Sequence, residues 1–201
     1  MMTFYDFTVK RNDGSDFALS AMKGKIVLVV NSAFHDSFAD QYSDLERLYR
    51  QYHEKDFEIL DFPCNQFHGM AFEDDREIDS MVKEAYHTSF TRFAKCDVRG
   101  EKALPLFRYL SQKKPFKGLD PTHPMSKVIN SFNIKEGYLT GIQKDVRWNF
   151  TKFLIDRKGK TVRRFEPVDG MDCVIKAVSR LVDTQPMIKE SNLNGVYLEV
   201  Q

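Results

Sequence analysis

Cysteine is scarce in this 201-residue chain, and the arrangement of the three present excludes two classes of protein. Cys64, Cys96 and Cys173 are widely spaced, odd in number and contain no Cys-x-x-Cys pair. Neither a disulfide scaffold nor a thiolate zinc site has that spacing, so three thiols in a reducing compartment are expected. An excess of one charge is missing too: 30 basic and 29 acidic residues are interspersed and leave a formal net charge of +1. No electrostatic footprint for nucleic acid or an anionic membrane follows from that balance. No stretch is apolar for long enough to cross a bilayer, and Met1 to Asp6 is not a basic segment leading into an apolar run. The expected compartment is the cytoplasm.

With 42% hydrophobic and 29% charged residues, the chain can bury one core. We expect a single domain over residues 1–183 and a tail over 184–201. Aromatic and apolar residues alternate from Phe4 to Val9 before the turn Asn12-Asp13-Gly14, which reads as an edge hairpin. Lys25 to Asn31 is a continuous β-branched run, the pattern of a central strand covered on both faces. Leu45, Leu48, Tyr49 and Tyr52 recur at helical spacing within Phe38 to Tyr52. A second buried strand over Phe57 to Phe62 is broken by Pro63, and a helix follows over Arg76 to Tyr86.

Further strands are expected over Arg92 to Val98, Lys152 to Asp156 and Thr161 to Glu166, the last two joined by the turn Asp156-Arg157-Lys158-Gly159. Helices are expected over Pro105 to Lys113, with proline in its first turn, and over Met171 to Asp183. Between them Phe116 to Lys144 reads as a long irregular insertion with one short helix near Ser126 to Phe132. Val196 to Val200 is a strand-like patch. The order of elements predicts a thioredoxin-like α/β three-layer sandwich, with a central mixed β-sheet, an N-terminal β-hairpin and a helical or loop insertion before the last hairpin.

Asn31-Ser32-Ala33-Phe34-His35-Asp36-Ser37 leaves the firmest strand and opens a helix, a common place for a reactive group. Together with Asp61-Phe62-Pro63-Cys64-Asn65-Gln66-Phe67, Phe93 to Gly100 and Arg147-Trp148-Asn149-Phe150-Thr151-Lys152-Phe153, it resembles the signature segments of the glutathione peroxidase family, in its longer bacterial-type form. The likeness covers roughly residues 4 to 183, and these strings are long enough to make chance improbable.

The resemblance implies thiol-dependent reduction of hydrogen peroxide and organic hydroperoxides, in the response to oxidative stress. A selenocysteine or cysteine, a Gln, a Trp and an Asn would form the site. It implies no bound cofactor, with glutathione or thioredoxin as reductant, and small peroxides and thiols as partners. The family pattern Asn-x-Ala-x-x-Cys-Gly places Asp36 at the nucleophile and Ser37 at the following Gly. The Gln position falls on Met70, whereas Trp148 and Asn149 match. Met81, Val82 and Lys83 fill the neighbourhood where some members carry a resolving Cys. The changes at Met70 and Ser37 beside Asp36 argue for natural divergence over a single laboratory substitution.

Two functions stay open on this reading. One is a pseudoenzyme, because a carboxylate oxygen has no low-cost oxidised state that a thiol could reduce. The other is an active thiol peroxidase or related oxidoreductase using another cysteine such as Cys64, a residue that as a packed hydrophobe would instead be inert. Cys96, in its expected strand, and Cys173, in the last helix, read as inert. Trp148 and Asn149 could serve as core packing and a turn-capping amide. His35, Asp36 and His68 invite a zinc or iron hypothesis, against which adjacent residues on such a turn usually point apart, so no metal is expected. His53 and His123 have no partner visible in sequence. The insertion allows homo-oligomer contacts without requiring them.

Overall fold

The computed structural model describes residues 2–137 and 144–184, so the patch at Val196 to Val200 lies outside the described residues. Thr8–Lys10 (β1) and Asp16–Ala18 (β2) pair antiparallel across a turn in which Gly14 takes φ +84°. That left-handed conformation suits a residue without Cβ. The hairpin forms its own two-stranded sheet and meets the segment after β5 through a bridge between Arg11 and Phe93 and the packing of Phe17 on Phe93 at 5.4 Å. Strand begins at Thr8 and not at Phe4. Phe4–Asp6 is a 3-10 turn, and the Asp6 carboxylate accepts from Thr3 N at 2.7 Å, a local bond that competes with extended structure.

The main sheet is built on Ile26–Ser32 (β3), in which every residue is buried. Phe57–Pro63 (β4) lies parallel to it, from Ile26 opposite Phe57 to Ser32 opposite Pro63. Gln41–Tyr52 (α1) supplies the crossover that parallel neighbours require. Thr91–Arg92 (β5) extends the sheet parallel to β4, while Lys152–Ile155 (β6) and Thr161–Phe165 (β7) add antiparallel strands on the other side. The order β5-β4-β3-β6-β7 makes a mixed sheet with β3 in the middle.

Side-chain alternation along β4 sorts the helices onto two faces. Asp61 turns toward Arg92, which in turn reaches Asp79 of Asp75–Tyr86 (α2) and lies 5.7 Å from the Tyr42 ring of α1. Phe62, the next residue, meets Phe107 of Pro105–Lys113 (α3) edge-on, with ring centroids 5.5 Å apart. Pro124–Lys135 (α4) comes from the insertion, and Met171–Asp183 (α5) packs on β3 and α1. This is the thioredoxin-like sandwich that the element order predicts.

Three further segments differ from expectation. Residues 93–98 do not continue a strand: Phe93 N donates to Asp61 O, Ala94 N to Lys10 O, Lys95 N to the Asp75 carboxylate and Cys96 N to Pro63 O, at 2.7 to 2.9 Å. Bonds shared among four partners cannot form a ladder, so Cys96 sits in an irregular segment. The first helix starts at Gln41 and not Phe38, because Asp36 accepts from Phe38 N at 2.8 Å and holds the intervening residues in turns. Finally, α4 is longer than Ser126 to Phe132. Pro124 occupies its first turn and the His123 ring Nδ1 accepts from Met125 N at 3.2 Å, a cap that gives His123 a role.

Candidate functional site

The β3 strand ends in buried polar residues, an unusual thing in a central strand. Asn31 Nδ2 donates to Trp148 O at 3.2 Å and to Asn149 Oδ1 at 3.4 Å, while Phe150 N donates to Asn31 O at 2.6 Å. These bonds pin the 148–151 turn against the end of β3. Phe150 takes φ +60° there, a strain on the order of 1 kcal/mol or more that persists only where surroundings impose it. Lys152 completes the support. Fully buried, its Nζ donates to Phe150 O at 2.7 Å and to Gln41 Oε1 at 2.6 Å, and burial pushes its amine down to about 7.

Asp36 faces this turn and is 5% exposed. Its Oδ1 accepts from Phe38 N at 2.8 Å and its Oδ2 accepts from Asn149 Nδ2 at 3.0 Å. Burial raises the carboxyl above the ordinary range. The Phe38 amide, Asn149, Trp148 and His68 each pull in the other direction without cancelling that rise. Trp148 Nε1 is buried close enough to act on the carboxylate, yet it makes no hydrogen bond among the described residues.

An aromatic box encloses the indole: Phe132 of α4 at 5.1 Å, Phe67 at 5.7 Å and His68 at 5.7 Å between ring centroids. His68 and Gly69 are both left-handed, at φ +56° and +66°, in a loop closed by Ala71 N donating to Asn65 Oδ1 at 2.9 Å. Met70 follows. Its carbonyl accepts from His35 N at 3.1 Å, which ties the loop to the Asp36 turn, and its thioether offers only a weak acceptor where an amide would donate.

The fold therefore brings Asp36, Trp148 and Asn149 together and joins the Met70 loop to them through the main chain. Cys64 is placed differently. It has no exposed surface, its thiol faces Gln66 Oε1 at 3.7 Å, and burial pushes the thiol up to about 12. Cys173 is exposed on α5. The trio His35, Asp36 and His68 is not gathered around one point: His35 pairs with Glu73 and stacks on Phe72 at 4.9 Å. Among the described residues no three His, Cys, Asp or Glu side chains form a metal-holding group. His53 stacks on Tyr49 at 5.2 Å.

Sequence reasoning gave Asn31, Lys152 and Phe132 no role in the site. The first two carried a signal, a polar residue and a lysine inside otherwise apolar strands. Phe132 carried none, because its contact with Trp148 depends on where the insertion folds back.

A family model described as glutathione peroxidase matches residues 4–111, more than half of the chain. The chain belongs to the glutathione peroxidase family. It is 39% identical over 167 residues to the glutathione peroxidase homolog BsaA of Staphylococcus aureus, covering 83% of this chain and 90% of that protein. To the glutathione peroxidase of Lactococcus lactis it is 37% identical over 166 residues, with the same coverage of 83% and 90%. The crystal structure of T. cruzi GPX1 superposes with a TM-score of 0.65 at 31% identity, covering 90% of this chain and 97% of that one. Trgpx in its apo form gives 0.66 at 28% identity, over 92% and 98%. A thioredoxin-family thiol:disulfide interchange protein from Chlorobium tepidum, at 16% identity and TM-score 0.54, shares the fold. Within this glutathione peroxidase scaffold, the carboxylate of Asp36 is what the Asn149 amide holds.

Proposed function

We propose that this glutathione peroxidase family member does not reduce hydroperoxides at residue 36 and that it serves binding or regulation. The observation that carries this reading is the Asn149 to Asp36 hydrogen bond, which commits a donor of the site to a carboxylate. Reduction of an O–O bond needs an atom that accepts oxidation and is returned by thiols; sulfur cycles in this way and a carboxylate oxygen does not. The buried Trp148 N–H acts on the same carboxylate and lowers its pKa, so a second donor of the site is turned to Asp36.

Peroxide reduction through Cys64 finds less support, because a fully buried thiol with its pKa pushed up to about 12 holds little thiolate at neutral pH. Family membership and the Phe38 and Asn149 donors held around Asp36 favour a role in the cytoplasmic response to oxidative stress as a binding protein without turnover. A coupled assay with hydrogen peroxide or an organic hydroperoxide, reduced by glutathione or thioredoxin, tests the proposal. Turnover no greater than that of Asp36→Ala is expected. Turnover lost in Cys64→Ser would instead establish the thiol peroxidase reading.

A further inference from the structure

Residues 93–98 form no strand, yet two main-chain hydrogen bonds fix the segments that follow β4 beside one another. Cys64 N donates to Ser32 O at 2.8 Å on one side, and on the other Cys96 N donates to Pro63 O at 2.9 Å. The Pro63 carbonyl shares a planar peptide unit with the Cys64 N–H, so the bond it accepts brings Cys96 beside Cys64. The Cys64 sulfur acts on the Cys96 thiol across this contact, and backbone segments joined by such a bond lie about 4.8 Å apart. That separation lies inside the span of about 4.4 to 6.8 Å between Cα atoms that a disulfide bridges. Both side chains pack with the hydrophobic core.

We propose that Cys64 and Cys96 form a dithiol that closes into a disulfide when a hydroperoxide oxidises it. Cys96, the partly exposed member, meets the oxidant first. Its thiolate attacks one peroxide oxygen, the O–O bond breaks, and water or an alcohol leaves with a proton. The resulting sulfenic acid is attacked by the Cys64 sulfur, the S–O bond breaks, and water leaves with the Cys64 proton as the S–S bond forms. Two thiols thus lose two electrons and two protons to one hydroperoxide.

The pair is slow by construction. Burial raises the Cys96 thiol well above its ordinary value, the neighbouring Cys64 raises it further, and Cys64 itself is pushed up to about 12. Closure should therefore accelerate as pH rises toward the alkaline range. A single oxidation of this kind is not turnover, so it stands apart from the absence of peroxidase chemistry at Asp36.

The test uses the full chain with Cys173→Ser, which removes the exposed thiol. After treatment with hydrogen peroxide, unfolding in an alkylating agent and digestion, mass spectrometry should find the peptides of Cys64 and Cys96 joined. The thiol titre should fall from two per chain to none and return with dithiothreitol. Cys96→Ser should leave Cys64 reduced under the same treatment, which separates closure from independent oxidation. Two alkylated thiols after treatment, or separate sulfinic acids without a joined peptide, would overturn the proposal whatever the steady-state assay shows.

Discussion

Asn149 donates its side-chain amide to Oδ2 of Asp36 at 3.0 Å, across 113 positions of chain. The donor is itself held, since Asn31 Nδ2 bonds to Asn149 Oδ1 and to Trp148 O. A short polar chain therefore runs from the end of the central strand to a buried carboxylate. Such arrangements rigidify when satisfied and cost stability when one member is removed.

Asp36 should make the protein less stable as pH rises. Its folded pKa lies above the unfolded value, so the native state holds the extra proton and stability is lost as pH passes through the folded pKa. Urea unfolding of Asp36→Asn and the parent at several pH values should show the difference moving in the variant's favour from about pH 4 to about pH 7. A constant difference would mean that Asp36 titrates normally.

Lys152 has the opposite slope. Its folded pKa of about 7 is below the unfolded value of about 10.4, so the native state binds fewer protons between the two, and the residue's contribution rises with pH over that window. Between pH 7 and about pH 10 the parent should gain stability relative to Lys152→Met, whatever the offset at neutral pH.

Arg92 pairs with Asp61 at 2.8 Å and Asp79 at 2.7 Å, with the first contact wholly buried. Arg92→Met would leave Asp61 uncompensated, a loss of about 3–5 kcal/mol in unfolding free energy. The loss should shrink at low pH as Asp61, already raised by burial, takes up a proton.

Iodoacetamide should label the cysteines of the folded protein in order of access. Cys173 is exposed and should react at the rate of a free thiol, while Cys64 should stay unlabelled until denaturant unfolds the chain. Rapid labelling of Cys64 would show that its cover opens readily.

Much of this fold was legible because local and tertiary forces agree. The β-branched run into β3 and the proline-led α3 fall where their patterns put them. Residues 93–98 carried a strand pattern, yet their amides go to partners in β1, β4 and α2 that no local signal names. Cys96 was misplaced with them. At the site, the resemblance pointed to Asp36, Trp148 and Asn149, and the fold does unite them. The supports from Asn31 and Lys152 were not legible, because a strand pattern says that a polar group is buried and not which distant turn receives its hydrogen bonds.

The central claim is that the site still holds residue 36 with the donors of Phe38 and Asn149 and lacks an oxidisable atom and the amide that Met70 replaces. Stopped-flow consumption of hydrogen peroxide by Asp36→Cys combined with Met70→Gln tests it most directly, followed through the fluorescence of Trp148, the single tryptophan. The account predicts a fast phase of one equivalent of peroxide per chain in the variant and none in the parent. A fast phase in the parent, or a variant as inert as Asp36→Ser, would contradict it.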